Sequence, residues 1–301
     1  MSIYTALRTV YLKLYKKGML NFLPDTVFVP FIYRMSTGKK LNLSNPVTFN
    51  EKVQWLKLND HNPLYVQLVD KYAVREYIAK IIGNQFLIPL IGKWSRVEDI
   101  DFEKLPNEFV LKCNHDSGGI VICKDKKTLD IKSAKKKLED HLKRNHYYMS
   151  REWAYKNVIP CIICEKYMVD NKTQDLRDYK FFCFNGVPKF IQVDFNRFAG
   201  HKRNLYTLDW KLIDITIKCP NDSNANIEKP ANLNEMIEIA KELSKGLPEV
   251  RIDLYSVNGK TYFGELTLYH GGGIEKFSSD EFAQEMGSWI DLSLAYKGDI
   301  R

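Results

Sequence analysis

The chain has 301 residues, 45% hydrophobic and 27% charged, with a formal net charge of +8. That composition suits a soluble globular protein with a sizeable core, in one large or two to three small domains. No apolar run approaches the roughly 18 to 20 residues of a membrane span, six cysteines make no disulfide framework in a chain this long, and no nucleic-acid module accompanies the basic excess, so we expect a reducing, cytoplasmic protein with anionic partners other than nucleic acid.

Residues 1–20, "MSIYTALRTVYLKLYKKGML", have no cleavable-signal layout and read as a basic amphipathic helix. Such a helix packs on its own domain or makes a peripheral contact with the inner face of a membrane. "NPVTFNEKVQWLKLND" is a helix start, with Thr48 and Glu51 spaced as a capping box. "LVDKYAVREYIAKIIG" reads as a second helix running to Gly83, and "FLIPLIGKW" as a short strand. From residue 109 the pattern becomes strands. "FVLKC" and "IVICK" flank the small polar loop "NHDSGG", with Lys112 on the opposite strand face from Phe109, Leu111 and Cys113. In that loop Gly118 and Gly119 could offer backbone N–H groups to phosphate. Residues 128–146 form an amphipathic helix with a solvated lysine-rich face.

"VIPCIICEKYMVD" is a strand with a polar exit. Its Cys161 and Cys164 lack a second zinc-ligand pair and read as small buried residues. "DYKFFCFNGVPKFIQVDF" is an Asn-Gly hairpin, "KRNLYTLDWKLID" an extended pair turning near Asp209, and "NLNEMIEIAKELSKGL" a helix closed by Gly246. A hairpin over 250–273 and a helix over about 278–295 finish the chain. "HGGG" at 270–273 has no G-x-S-x-G partner and carries no esterase reading. The order predicts an α+β protein with a helical region over 1–104, a small lobe over 105–165 and a larger lobe with an antiparallel sheet over 166–301.

The late hairpin, "VRIDLYSVNGKTYFGELTLYHGGG", carries polar residues mid-strand. Val250, Ile252 and Leu254 share one face of the first strand, and Leu266 and Leu268 one face of the second. For these faces to coincide, opposed residue numbers must sum to an even number, which predicts an odd-length loop at Asn258-Gly259 and excludes a two-residue turn. Arg251, Asp253, Glu265 and Thr267 then share the other face. Two carboxylates so close repel unless a cation sits between them, and hard oxygens suit Mg²⁺. The same reading predicts that Asp253→Asn leaves the metal-free protein as stable as before, or slightly more so.

A lysine strand with a glycine loop, a "CEKYMV" strand exit and a late Arg-x-Asp…Glu-x-Thr hairpin, in that order, resemble the ATP-grasp superfamily over residues 60 to 275. "NPVTFNEKVQWLKLND", "LVDKYAVREY", "LKCNHDSGG" and "DYKFFCFNG" look like its branch named for teichuronopeptide biosynthesis, associated with bacterial surface polysaccharides. The resemblance implies two α+β lobes clasping ATP. It assigns Lys112 to the nucleotide phosphates, and Asp116, Ser117, Gly118 and Gly119 to the loop that closes over them. Glu165, Lys166, Tyr167 and Met168 become the hinge whose backbone and acid meet the adenine. Arg251 faces the transferred phosphoryl group, Lys180 is a further phosphate contact, and Asp253 and Glu265 bind Mg²⁺. Thr267 stands where many relatives have asparagine, a neutral oxygen for a second ion. The implied activity is an ATP- and Mg²⁺-dependent carboxylate–amine ligase acting on an anionic sugar or uronic acid and an amine such as an amino acid. Arg197, His201, Lys202 and Arg203 are candidates for holding the anionic substrate. A sugar kinase on the same fold and a non-catalytic assembly subunit are the rival readings.

Overall fold

The computed structural model describes residues 18–172, 176–196, 200–225 and 227–296. Arg197 and the first 17 residues of the expected N-terminal helix lie outside them. The chain builds two antiparallel sheets. The smaller joins β1 (Leu90–Trp94), β2 (Phe109–Cys113), β3 (Ile120–Cys123) and β4 (Ile162–Lys166) in the order β1-β4-β2-β3. Its edge strand β1 thus comes from ahead of residue 105. The larger joins β5 (Asp178–Phe184), β6 (Val187–Phe195), β7 (Lys202–Tyr206), β8 (Leu212–Ile213), β9 (Glu249–Val257) and β10 (Lys260–Thr267) in the order β10-β9-β5-β6-β7-β8.

Helices α1 (Asp25–Thr37), α2 (Phe49–Asn59), α3 (Leu64–Val69) and α4 (Val74–Ile81) precede the sheets. The capping box at the start of α2 is complete: Thr48 accepts from the Glu51 backbone and the Glu51 carboxylate accepts from the Thr48 N–H. The helix expected over "LVDKYAVREYIAKIIG" is instead broken at Asp70. The Asp70 carboxylate accepts the Tyr72 and Ala73 N–H groups at 2.8 and 3.2 Å, an Asx turn that competes with helix. The freed Lys71 N–H bonds the Asn114 carbonyl at 3.1 Å, which fixes Lys71 beside the end of β2.

Each sheet has its own core. On the small sheet, α5 (Ile131–Leu142) lays Ala134 and Leu138 against Phe109, Leu111, Cys113, Val121 and Cys164. Cys161 and Cys164 are buried free thiols. On the large sheet, α7 (Leu233–Leu243), which follows the one-turn α6 (Tyr147–Ser150), packs Met236, Ile239 and Leu243 against Phe181, Ile191, Ile252, Leu254 and Leu266. This helix stops at Ser244, ahead of Gly246, whose φ of 74° turns the chain into β9. Among the described residues no helix is long and apolar enough to cross a membrane.

The β9–β10 register differs from expectation in its cause. Two residues, Asn258 and Gly259, join the strands with φ of 51° and 76°, and Val257 lies opposite Lys260, the geometry of a type I′ turn. A two-residue turn alone would put Asp253 and Glu265 on opposite faces. The parity is corrected farther along: Phe263 pairs with Leu254, yet Glu265 pairs with Asp253, so Gly264 forms a bulge. A Cβ at Gly264 would come within 3.0 Å of the Asp253 carbonyl oxygen and 3.0 Å of the Tyr255 ring. The extra residue returns Glu265 and Thr267 to the face of Arg251 and Asp253.

The last helix, α8 (Asp280–Ser288), ends well before 295 and crosses the start of α2. A Cβ at Gly287 would sit 2.0 Å from the Val47 carbonyl oxygen and 2.8 Å from the Thr48 carbonyl carbon. Backbone on both sides leaves little room to yield. Gly287→Ala should therefore destabilise the protein by about 1–3 kcal/mol despite its better helix propensity. Urea unfolding checks this; a gain in stability would mean that the contact relaxes without cost.

Candidate active site

The polar face of the large sheet opposes the face of the small sheet that α5 leaves uncovered. Between them lies a cavity of about 970 Å³. Lys112, Glu165 and Met168 line it from the small sheet, and Asp178, Asp194 and Tyr255 from the large one. Lys166 and Tyr167 also line it, so the whole β4 exit borders the cavity.

On the small-sheet wall, Glu165 is engaged at both oxygens. Lys112 Nζ is 2.7 Å from Oε2, and Arg75 Nη1, from α4, is 3.0 Å from Oε1. Arg75 also donates to the Ile88 carbonyl at 2.8 Å. Glu165 lines the cavity, and as a buried carboxylate shared by two cations it holds Lys112 in place. Residues 166–168 remain for contacts along the cavity.

The glycine loop folds around its own aspartate. Asp116 Oδ1 accepts the Gly118 and Gly119 N–H groups at 3.2 and 2.9 Å, so in this conformation those donors face the chain's own carboxylate. Asp116 Oδ2 bonds His141 of α5, and Lys71 Nζ donates to the Asp116 carbonyl at 2.8 Å. Burial would raise the Asp116 carboxyl, but His141 and the Gly119 N–H hold it below the usual range. Ser117 and Gly118 are exposed at the tip.

A charged cluster on the same face of the large sheet as Asp178, Asp194 and Tyr255 follows from the pairing. Glu265, Asp253, Lys180 and Gln192 lie opposite one another across four strands, and Thr267 and Arg251 form the adjoining row. Asp253 sits between two cations: Arg251 Nε is 2.6 Å from Oδ1, Arg251 Nη2 2.7 Å from Oδ2, and Lys180 Nζ 2.5 Å from Oδ2. Arg251 Nη2 also reaches Glu265 Oε1 at 3.3 Å and Thr267 Oγ1 at 3.0 Å. Lys71 Nζ lies 3.7 Å from Glu265 Oε2.

A repelling acid pair is thus not what this face contains, and Asp253→Asn is not expected to gain stability. Asp253 is 2% exposed, and its charge is what two neighbouring cations require. Asp253, Glu265 and the Thr267 hydroxyl are still a hard-oxygen set of the kind Mg²⁺ accepts alongside phosphates and water. The Glu265 side chain is 37% exposed, which leaves it an open side. Among the described residues no group of three or more His, Cys, Asp or Glu side chains gathers as a metal site.

His201 and Arg203, expected to hold an anionic substrate, turn onto Asp194 instead. Arg203 Nε is 2.7 Å and His201 Nε2 3.1 Å from Asp194 Oδ1. Arg203 Nη1 also donates to the Ile217 carbonyl and to Glu275, at 3.1 and 3.2 Å. Glu275 is 3.1 Å from His270 Nε2, and His270 Nδ1 is 2.7 Å from Arg251 Nη1. Lys202, at the start of β7, is half-buried. The sequence reading missed Lys71, Arg75, His270 and Glu275 as members of this network. Lys71 and Arg75 were read as part of one continuous helix, and only the Asx signal at Asp70 could have separated them. Nothing local marks Glu275.

The family model described as TupA-like ATPgrasp matches residues 51–291. Among solved structures, D-alanine-D-alanine ligase from Helicobacter pylori is similar with a TM-score of 0.43 and 14% identity, covering 80% of this chain and 69% of that one. The Bacillus anthracis D-alanine-D-alanine ligase complexed with ATP gives 0.39 and 19%, covering 70% and 57%. N5-carboxyaminoimidazole synthase from Aspergillus clavatus gives 0.41 and 12%, covering 69% and 46%. The chain therefore spans less than two thirds of the length of the last two. No curated protein matches it.

Burial would raise the Glu265 carboxyl, but Lys71, Arg251, Lys180 and the Thr267 hydroxyl outweigh it and hold it at about 2. Its folded value lies below the unfolded one, so its contribution to stability is present above about pH 4.5 and is lost as pH falls toward 2. The stability difference between wild type and Glu265→Gln should shrink as pH falls through that window, as read by urea unfolding at stepped pH. A difference that stays constant down to pH 3 would show that the charge is not what these cations hold.

Proposed function

Because this chain belongs to the TupA-like ATP-grasp family, an ATP-grasp ligase family, we propose that it joins a carboxylate to an amine on a sugar or uronic acid of a bacterial capsule, O-antigen or other cell-surface polysaccharide. The observation that carries the proposal is the cavity lined by Lys112 and residues 165–168 on one side and by Asp178, Asp194 and Tyr255 on the other, with the charged cluster of Lys180, Arg251, Asp253 and Glu265 on the same face of the large sheet as those three. Such an arrangement suits ATP with its base toward residues 166–168 and its phosphates toward the charged row. The proposal includes a cytoplasmic site of action, with the basic N-terminal segment touching the inner face of the membrane.

In this reading the substrate carboxylate attacks the γ-phosphoryl group and ADP leaves. The acylphosphate is then attacked by the amine, giving an amide and phosphate. Lys112, held by Glu165, is the fixed cation on the nucleotide phosphates. Arg251 and Lys180 lie where charge develops on the transferred group, and fixed cations there lower the barrier because they need not reorganise. Mg²⁺, when bound by Asp253 and Glu265 with Thr267 as a neutral oxygen, would supply further neutralisation of that charge. For the loop at 116–119 to grip phosphate, the Gly118 and Gly119 N–H groups must exchange Asp116 for a phosphate oxygen. Closure of that loop would keep water from the acylphosphate.

Two measurements test this. Lys112→Met should weaken ATP binding by about tenfold or more with the fold intact, because one desolvated charge–phosphate contact is lost. Unchanged affinity would remove Lys112 from the site. Product analysis with candidate uronic acids and amino acids separates the chemistries: a ligase releases ADP and phosphate together and only when the amine is present. ADP formed with a phosphorylated hydroxyl product would establish the kinase instead.

A further inference from the structure

Beyond β8 the chain runs back along β7. The Arg203 N–H bonds the Pro220 carbonyl at 3.0 Å, and the Arg203 guanidinium bonds the Ile217 carbonyl at 3.1 Å. Between these two anchors lies Cys219, with Sγ 3.6 Å from His201 Nδ1. The other ring nitrogen, Nε2, is 3.1 Å from Asp194 Oδ1. Asp194 is buried and also receives Arg203 Nε at 2.7 Å and Gln192 Nε2 at 2.9 Å. Burial would raise its pKa, but Arg203 outweighs burial and keeps the group ionised.

An ionised carboxylate only accepts hydrogen bonds, so the His201 proton sits on Nε2 and Nδ1 is left to accept from the thiol. Thiol, imidazole and carboxylate thus stand in the order that activates a nucleophile, with the base itself oriented by a third group. None of the other cysteines shares this setting. Cys113, Cys123, Cys161, Cys164 and Cys183 are buried, whereas Cys219 is only partly so and His201 is 36% exposed. Burial pushes the Cys113 and Cys164 thiols up to about 12 and Cys161 to about 11. Those thiols are held as inert packing.

From this geometry we propose that Cys219 is the reactive thiol of the chain, a reversible modification site for low-molecular-weight disulfides beside the residue, Asp194, that lines the cavity. In the step, the Cys219 proton passes to His201 Nδ1 and the thiolate attacks one sulfur of the disulfide. A new S–S bond forms, the old one breaks, and the departing thiolate takes the proton from the imidazolium. The balance is one protein thiol and one disulfide giving one mixed disulfide and one free small thiol. The inference stands on its own and does not depend on the ligase reading.

The test uses the full chain and oxidised glutathione, with adducts located by peptide mass spectrometry. The expected result is one mixed disulfide per chain, at Cys219, reversed by dithiothreitol and absent from Cys219→Ser. It should form about tenfold faster than on free cysteine at the same pH, and His201→Gln should remove that advantage. The comparison with free cysteine needs only the wild-type protein, so a poorly folded His201 variant does not blunt it. Modification at another cysteine, no adduct, or a rate no greater than that of free cysteine would overturn the proposal.

Discussion

Asp253 held between Arg251 and Lys180 is the contact on which the rest of the polar face depends. Three side chains from two adjacent strands place two cations and one carboxylate in a buried row. Such charges are tolerated away from water only when each is paired with good geometry. Glu265, Thr267 and His270 then take up the remaining donors of Arg251. The network continues through Glu275 and Arg203 to Asp194, so one face of the sheet is polar from β10 to β7 while the other is packed by α7.

The small sheet solves the same problem with the same signs. There one carboxylate, Glu165, lies between the cations Lys112 and Arg75. On each of the two sheets, therefore, one acid fixes the direction of two cations. A polyanion entering between them would gain from cations already oriented, and little side-chain ordering would remain to be done on binding. The loop at 116–119 completes this arrangement. Its Gly118 and Gly119 donors are occupied by the Asp116 carboxylate, which a phosphate oxygen could displace.

Much of the site was legible in sequence because strand alternation is a short-range rule. Arg251, Asp253, Glu265 and Thr267 follow period two, and the structure groups them as expected. The reason given for their register was incomplete, because a bulge at a mid-strand glycine changes parity without disturbing the apolar pattern around it. Gly264 looked like an ordinary member of "YFGELT". The capping box at Thr48 and Glu51 was equally readable, since both partners lie within one turn. The pairing of Arg203 with Asp194 and Glu275 was not, nor the engagement of Glu165 by Lys112 and Arg75. Those partners are brought together by sheet order and by the break at Asp70, and composition alone left Arg203 looking like a free surface cation.

The central claim is that Asp253 is the counter-charge of a buried cation pair in the nucleotide-free protein. Comparing the unfolding free energy of wild type and Asp253→Asn, without nucleotide or metal at neutral pH, tests it directly. The account predicts a loss of roughly 3 kcal/mol or more, since Arg251 and Lys180 would be left buried without their shared charge. An Asp253→Asn protein as stable as wild type, or more stable, would contradict it and restore a repelling pair of acids at this site.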